Sequence, residues 1–530
     1  MDWSPRVEPT KKETLILKRL TRVRALFAFL RRERHVLFDE AFQTTLAGMY
    51  RQTGAGEDPV PPAMMCMVLL LQGYVGASDA EAVELAVMDL RWQMCLDCLG
   101  AEEPPFSQGT LQAFRERMVE HEMDRALLDR TAALVKEGVL SGKEGQALSK
   151  SLRVAIDSRP LIGAGRVEDT INLLGHAARL IVNMVAKVLD VPPDVIAKKA
   201  GIPLLLAPSI KAGLDINWSD PRQKATAIEI VERQVSSLQK WVEKNLDAYE
   251  TEPLRPYIEA ASTVRTQDLE TSTSGKVTVR QGVAPDRRIS IEDREMRHGR
   301  KSASKRFDGY KEHIARDLDS PAILACAVTP ANRPEEEGAA PIAKDIASAG
   351  FSIHELHVDR AYIQSDLAQE MASRGGVVLS KPWHLRPSKP GLFSKADFHI
   401  DLRARTVTCP AGEVESFELG QSVHFAPEAC GACPLRGNCT EAAVGRGRSI
   451  SIATDERLQK KLRTLQASPK GRAQLRERTA VEHSLAHISA RKGHRARYVG
   501  TRRNLFDLRR AATIQNLEAL HHSATFAVAA

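Results

Sequence analysis

No apolar run in this chain is long enough to cross a bilayer. The longest, Ala63-Met-Met-Cys-Met-Val-Leu-Leu-Leu71, falls well short of the roughly 20 residues a spanning helix needs. An apolar leader is also missing, because Met1 to Pro9 is polar and the next stretch is basic and amphipathic. These two features predict a soluble, cytoplasmic protein with no membrane partner. Charge of one sign is not dominant either: the net charge is +8 and the pI about 9.0, which favours nucleic acid only slightly. The clustering of the charge says more. Cysteine is sparse, with eight in 530 residues, yet four of them fall between 409 and 439. In a reducing compartment such bunching suggests metal binding instead of disulfides. No 20–50-residue repeat is evident.

At this length two or more domains are expected. Residues 1–150 read as helical. Pro61-Pro62 opens an apolar helix over 61–74, and Ser78 and Asp79 cap a second over Ala80 to Met94. A third runs through Leu111, Phe114 and Met118. Capped helices joined by a short Gly-containing turn fit a helix-turn-helix DNA-binding module, and equally an all-helical packing domain. From 151 the text changes to strands at Val154–Ile156, Tyr310–Ala315, Ala322–Val328, 354–358 and 377–380, with helices at Pro334–Ala349 and 363–374. That order predicts a mixed α/β sheet covered by helices. Residues 160–300 then form a helical insertion and 383–450 a Pro-, Gly- and Cys-rich one. Ser468 as N-cap, Pro469 in the first turn and Gly493 as stop predict a helix. Another covers Asn504 to Leu520, and 521–530 reads as a flexible tail.

Three acidic residues stand out. Asp157 ends the apolar run Leu-Arg-Val-Ala-Ile, and Asp359 ends His-Glu-Leu-His-Val. Glu482 lies on the helix after Ser468. With Val481 as the zero of a helical wheel, Leu485 and Ile488 fall within roughly 40° and define a buried stripe. Glu482 lies about 100° round, on its border, with Arg478 one turn earlier. Two carboxylates at strand exits and a third from a helix can hold a pair of Mg²⁺ ions, the arrangement that drives phosphoryl transfer on DNA or RNA.

The surrounding motifs extend this reading. They are Pro61-Pro-Ala-Met-Met, Ser78-Asp-Ala-Glu-Ala-Val-Glu and Phe106-Ser-Gln-Gly-Thr-Leu, then Asp157-Ser-Arg-Pro with Gly165-Arg-Val-Glu-Asp-Thr170. Farther on come Arg297-His-Gly-Arg-Lys-Ser302, Phe307-Asp-Gly-Tyr-Lys311, Asp359-Arg-Ala-Tyr362, Arg478 to Glu482, Ala496-Arg-Tyr-Val-Gly500 and Asn516. To about residue 520 the chain resembles the DDE transposases of bacterial insertion sequences, whose catalytic core (here 151–520) is ribonuclease H-like. The resemblance implies that Asp157, Asp359 and Glu482 bind two catalytic Mg²⁺ ions, with Mn²⁺ as a possible substitute. It implies a water attacking the scissile phosphate, followed by attack of the freed 3′-OH on target DNA. Double-stranded DNA, as element ends and target, is then the partner, a homo-oligomer the active complex, and the nucleoid the place of action. Related enzymes often carry Tyr-x2-Arg-x3-Glu-x6-Lys around the third acid. Here Arg478 and Glu482 keep the middle, whereas Leu475 and Ser489 stand at the outer positions, with Lys492 nearby as a substitute.

Cys409, Cys430, Cys433 and Cys439 supply four thiolates, two in a CxxC knuckle, which suits a structural Zn²⁺ in a loop-rich insertion. His424 is an alternative ligand. Cys95 and Cys98 lie in a helix of apolar periodicity and read as core. His483 and His487 lie opposite the buried stripe and read as surface or DNA-facing. Of two basic clusters, 294–311 holds seven Lys/Arg and 491–510 holds eight against the single acid Asp507. The second directly follows the Glu482 helix and carries the greater weight, so Arg478, Lys492, Arg495, Arg497, Arg502 and Arg503 are the expected DNA contacts. Two other readings stay open: a DNA-binding protein of the same origin that no longer cuts, and a two-metal nuclease without strand transfer.

Overall fold

The apolar run of the N-terminal region forms the helix Pro62–Val75, buried continuously from Pro62 to Gln72. The computed structural model describes residues 2–21, 24–51, 58–137, 150–273, 276–443 and 445–529. Helices Leu26–Leu37, Asp79–Met88, Leu90–Leu96 and Gln108–Glu120 share a core with it that includes Phe27, Trp92 and Phe114. Their ends follow from local chemistry. Ser78 accepts the Glu81 N–H while the Glu81 carboxylate accepts the Ser78 N–H, a reciprocal cap. The single helix expected over Ala80–Met94 is two helices, because Asp89 leaves helical geometry and caps the second through the Arg91 N–H. Cys95 is fully buried in this core, which pushes its thiol up to about 12. The basic N-terminal stretch carries two helices, Lys11–Leu17 and Leu26–Leu37, with residues 22–23 between them outside the described residues. Arg31 and Arg34 point inward there, Arg31 to Glu13 and Arg34 to the carbonyls of Met94 and Cys95. The expected domain border at 150 follows directly on 138–149, also outside the described residues. Among the described residues no single helix is long and apolar enough to cross a membrane.

Thirteen strands follow among the described residues: β1 Ser151–Ile162, β2 Leu269–Thr271, β3 Val277–Val279, β4 Arg297–Arg300, β5 Arg306–Asp317, β6 Ile323–Pro330, β7 Ser352–His357, β8 Val377–Leu379, β9 His399–Asp401, β10 Thr406–Thr408, β11 Val414–Ser416, β12 Ser422–His424 and β13 Ser449–Ser451. The main sheet is mixed. β5 lies antiparallel to β1, with β6 and β4 antiparallel along successive stretches of β5. On its other edge β1 pairs in parallel with β7, and β7 with β8. The helix Asp366–Ser373 joins that last pair, as parallel neighbours require a crossover. Gly309, in the motif Phe307–Lys311, has φ of 149°, and a Cβ there would lie 2.2 Å from the Leu161 carbonyl oxygen on β1. Only glycine lets the two strands approach so closely.

Between β1 and β4 stand helices Thr170–Val188, Pro193–Ala200, Pro221–Asn245 and Arg255–Asp268, with a core of their own that includes Val182, Ile196, Val231 and Val264. The Cys-rich segment has a smaller core of Phe398, Val407, Phe417, Phe425 and Ile450. The last helix, Thr501–Ala529, runs through the stretch expected to be a tail. Phe506 and Ile514 pack into the N-terminal helical core, Leu508 and Ala512 against the main sheet.

Candidate functional site

β1 and β7 pair in register at Ala155 and His357. Two residues on, with the same alternation of faces, come Asp157 and Asp359. Asp157 lies inside β1, opposite Ile314 of β5. Its Oδ1 accepts the Ser158 N–H at 2.9 Å. Asp359 follows β7 and accepts the Arg360 N–H at 2.7 Å, which caps the short turn Arg360–Tyr362. Beneath, the Tyr362 hydroxyl lies 2.6 Å from His313 Nδ1, whose other nitrogen meets Thr329 at 2.9 Å. Burial pushes His313 down to about 3, so this network is neutral.

Glu482 arrives on the helix Thr479–Lys492. Val481, Leu485 and Ile488 are buried against the sheet, each contributing roughly 1.5–3 kcal/mol. Arg316 of β5 fastens the helix by donating to the Ala480 carbonyl (2.8 Å) and Ser484 Oγ (2.9 Å). The Glu482 side chain is 47% exposed and Asp157 only 16%. Arg478 bridges them, with Nη1 3.1 Å from Asp157 Oδ2 and Nη2 on Glu482 Oε1. Burial raises the Asp157 carboxyl to about 6; Arg478 and the Ser158 N–H pull back, and Glu482 and Asp359 push it up again. A cationic group therefore already stands between Asp157 and Glu482.

An open groove runs past Asp157 and Glu482, lined also by Lys301, Lys305, Arg306, Ser489 and His494. The three cations come from the cluster given the lesser weight in sequence. Their signal was the run Arg300-Lys301 with Lys305-Arg306 just before a strand, whose placement needed the β4–β5 pairing. Ser489, at the lysine position of the signature, hydrogen-bonds His494 at 3.1 Å. His483 and His487 are exposed on the same helix.

The other cluster turns mostly inward. Lys492 is held between Glu312 and Asp507, its ammonium satisfied within the protein. Arg502 pairs with Asp124, Arg497 donates to the Ala77 carbonyl, and Arg503 lies 4.0 Å from Glu116. Arg495 is exposed. The reason is physical: the helix after Gly500 is buried along most of its length, and each buried cation on it needs a partner.

Among the described residues, one group of three possible metal ligands has all donor atoms within 4.8 Å of one another: Glu355, His357 and Glu477. The Arg153 guanidinium already pairs with both of its carboxylates. Asp157, Asp359 and Glu482 do not form such a close group.

The four clustered cysteines, none in a disulfide, line one cavity with Phe393, Phe425 and Arg448. The Arg448 N–H donates to Cys430 Sγ at 3.4 Å. Burial raises the Cys439 thiol, Arg448 opposes this, and Cys430, Cys409 and Cys433 add to it. His424 is exposed at the end of β12 and is not part of the cavity lining.

Asp157 on β1 and Glu482 on its helix line a groove that also carries three cations, and Asp359 stands in the turn after β7. A family described as Transposase DDE domain matches residues 408–521, a span that holds the four cysteines and Glu482. A transposase domain (DUF772) matches residues 20–117. No curated protein and no solved structure matches the chain. The two family matches, one at each end, support an insertion-sequence DDE transposase, and DDE transposase domains generally use divalent metals.

Proposed function

We propose that this chain binds the ends of an insertion sequence and catalyses Mg²⁺-dependent DNA strand cleavage and strand transfer. The observation that carries this is the Arg478 bridge between Asp157 and Glu482, with Asp359 two residues beyond the paired stretch of β1 and β7. The order of five strands of the six-stranded main sheet, antiparallel β6, β5 and β1 continued by parallel β7 and β8, supports a ribonuclease H-like core, with β4 added on β5. The donor set fits hard divalent ions: carboxylate oxygens only, with Asp157 raised chiefly by its burial. Two Mg²⁺ ions held there supply Lewis acidity for a water nucleophile and a departing 3′ oxygen.

The chain's own residues do the rest. Arg316 and the buried stripe hold Glu482 against β1 and β5. Lys301, Lys305 and Arg306 grip DNA phosphates along the groove, with Ser489 and His494 on its other side. Arg478 leaves the carboxylates for a phosphate when DNA enters. The N-terminal helices contact the element ends, a structural Zn²⁺ on Cys409, Cys430, Cys433 and Cys439 staples the loop-rich insertion, and a homo-oligomer pairs the two ends. Incubation with duplex carrying element ends and Mg²⁺ tests this reading. Nicked and joined products are expected; cleavage without joining means a nuclease, and binding without cleavage means a DNA-binding protein.

A further inference from the structure

The helix Glu456–Ala467 links the Cys-rich segment to the helices that carry Glu482. It buries Leu458 and Leu462 in the core of the main sheet. Glu456 ties it down through an ion pair with Lys395. Arg457, Lys460, Lys461 and Thr464, at i, i+3, i+4 and i+7, share its other face. Beyond that face lies the β9–β10 turn, where Asp401 accepts the N–H groups of Arg403 (2.8 Å) and Ala404 (2.9 Å). Between helix and turn is an open groove lined by Arg403, Arg457, Lys460 and Lys461, together with Leu402 and Leu465.

All four cations are exposed, and none forms a side-chain hydrogen bond or ion pair with another described residue. The nearby acid, Asp401, is held low first by the N–H groups of its own turn and then by His399 and Lys460. A concave wall of three cations on a helix whose opposite face is buried, with Arg403 from the facing turn, and without a paired acid, is organised for a polyanion. From Arg457 to Thr464 the helix advances about 10 Å, which matches roughly three phosphates of one DNA strand.

We propose that this groove is a second DNA-backbone contact, which grips duplex DNA apart from the catalytic carboxylates. The proposal rests on the reading of this chain as a DNA-acting protein and adds where a further stretch of the duplex lies. It also gives the Cys-rich insertion a purpose, since its β9–β10 turn forms one wall.

The test compares the full chain with Arg403→Ala/Arg457→Ala/Lys460→Ala/Lys461→Ala in fluorescence anisotropy on a labelled 40-bp duplex across a KCl series. Affinity is expected to fall roughly tenfold or more, and the slope of log affinity against log salt to shrink by about 3. Unchanged affinity and slope, with wild type binding normally, would overturn the groove and leave the DNA reading standing. A wild type that does not bind duplex overturns both. Loss of poly-glutamate binding with duplex binding intact would assign the groove to an acidic protein instead. Because all four side chains are exposed, the melting temperature should hold. As a second measurement, a benzophenone side chain at Thr464 should cross-link to the duplex, and its failure to do so would contradict the proposal.

Discussion

Nη1 of Arg478 lies 3.1 Å from Oδ2 of Asp157, while the same guanidinium reaches Glu482 one turn along its helix. A cation placed between two carboxylates offsets their repulsion, and it occupies the charge position that a divalent ion would take. Arg478→Gln is therefore expected to tighten Mn²⁺ binding by the DNA-free protein about tenfold, near 1.4 kcal/mol, and to weaken DNA cleavage. Titration followed by electron paramagnetic resonance measures the first. Weaker or unchanged Mn²⁺ binding would mean that Arg478 does not compete for the site.

The buried pair of Lys492 and Asp507 gives the protein a pH signature. Burial alone would raise the Asp507 carboxyl, but Lys492 and Arg510 overcome it and lower it from 3.8 to about 2. A carboxyl lowered on folding contributes its stabilisation in full above about pH 4 and loses it as pH falls toward 2. The contribution is roughly 2 kcal/mol. Asp507→Asn should destabilise the protein at pH 7 by about 3 kcal/mol, since it leaves Lys492 with one partner. It should also flatten the fall in stability between pH 4 and 2. Urea denaturation at several pH values checks both, and an acid limb as steep as wild type would contradict the assignment.

The cysteine cavity makes a stoichiometric prediction. Purified protein should carry close to one zinc per chain, and Cys433→Ser should lose it and unfold the segment around β9–β13 at lower temperature. Elemental analysis with hydrogen exchange reads the result. Zinc well below one per chain in wild type would assign the four thiols to packing.

What the sequence made legible were features that local periodicity encodes. Val481, Leu485 and Ile488 are the stripe the wheel placed, and Ser468, Pro469 and Gly493 stand at helix ends as their chemistry dictates. The break between the helices Pro469–Arg476 and Thr479–Lys492 was hidden, since no proline or glycine marks it. Asp157 read as the end of a strand because the apolar run stops at Ile156. β1 continues to Ile162 because Arg159 finds Glu312 on β5, a partner 153 residues away. Basic clusters were hardest to weigh. Composition gives a count of charges but not whether Asp124, Glu312 or Asp507 waits inside to receive them.

Asp157, Asp359 and Glu482 are proposed to act as one catalytic unit. Asp359→Asn tests this most directly, because this side chain is exposed and its removal disturbs no core packing. With duplex carrying element ends and Mg²⁺, the variant should bind DNA within a few-fold of wild type and lose strand cleavage by at least about a thousandfold. Cleavage at the wild-type rate, with Mg²⁺ still required, would place the chemistry elsewhere in the protein.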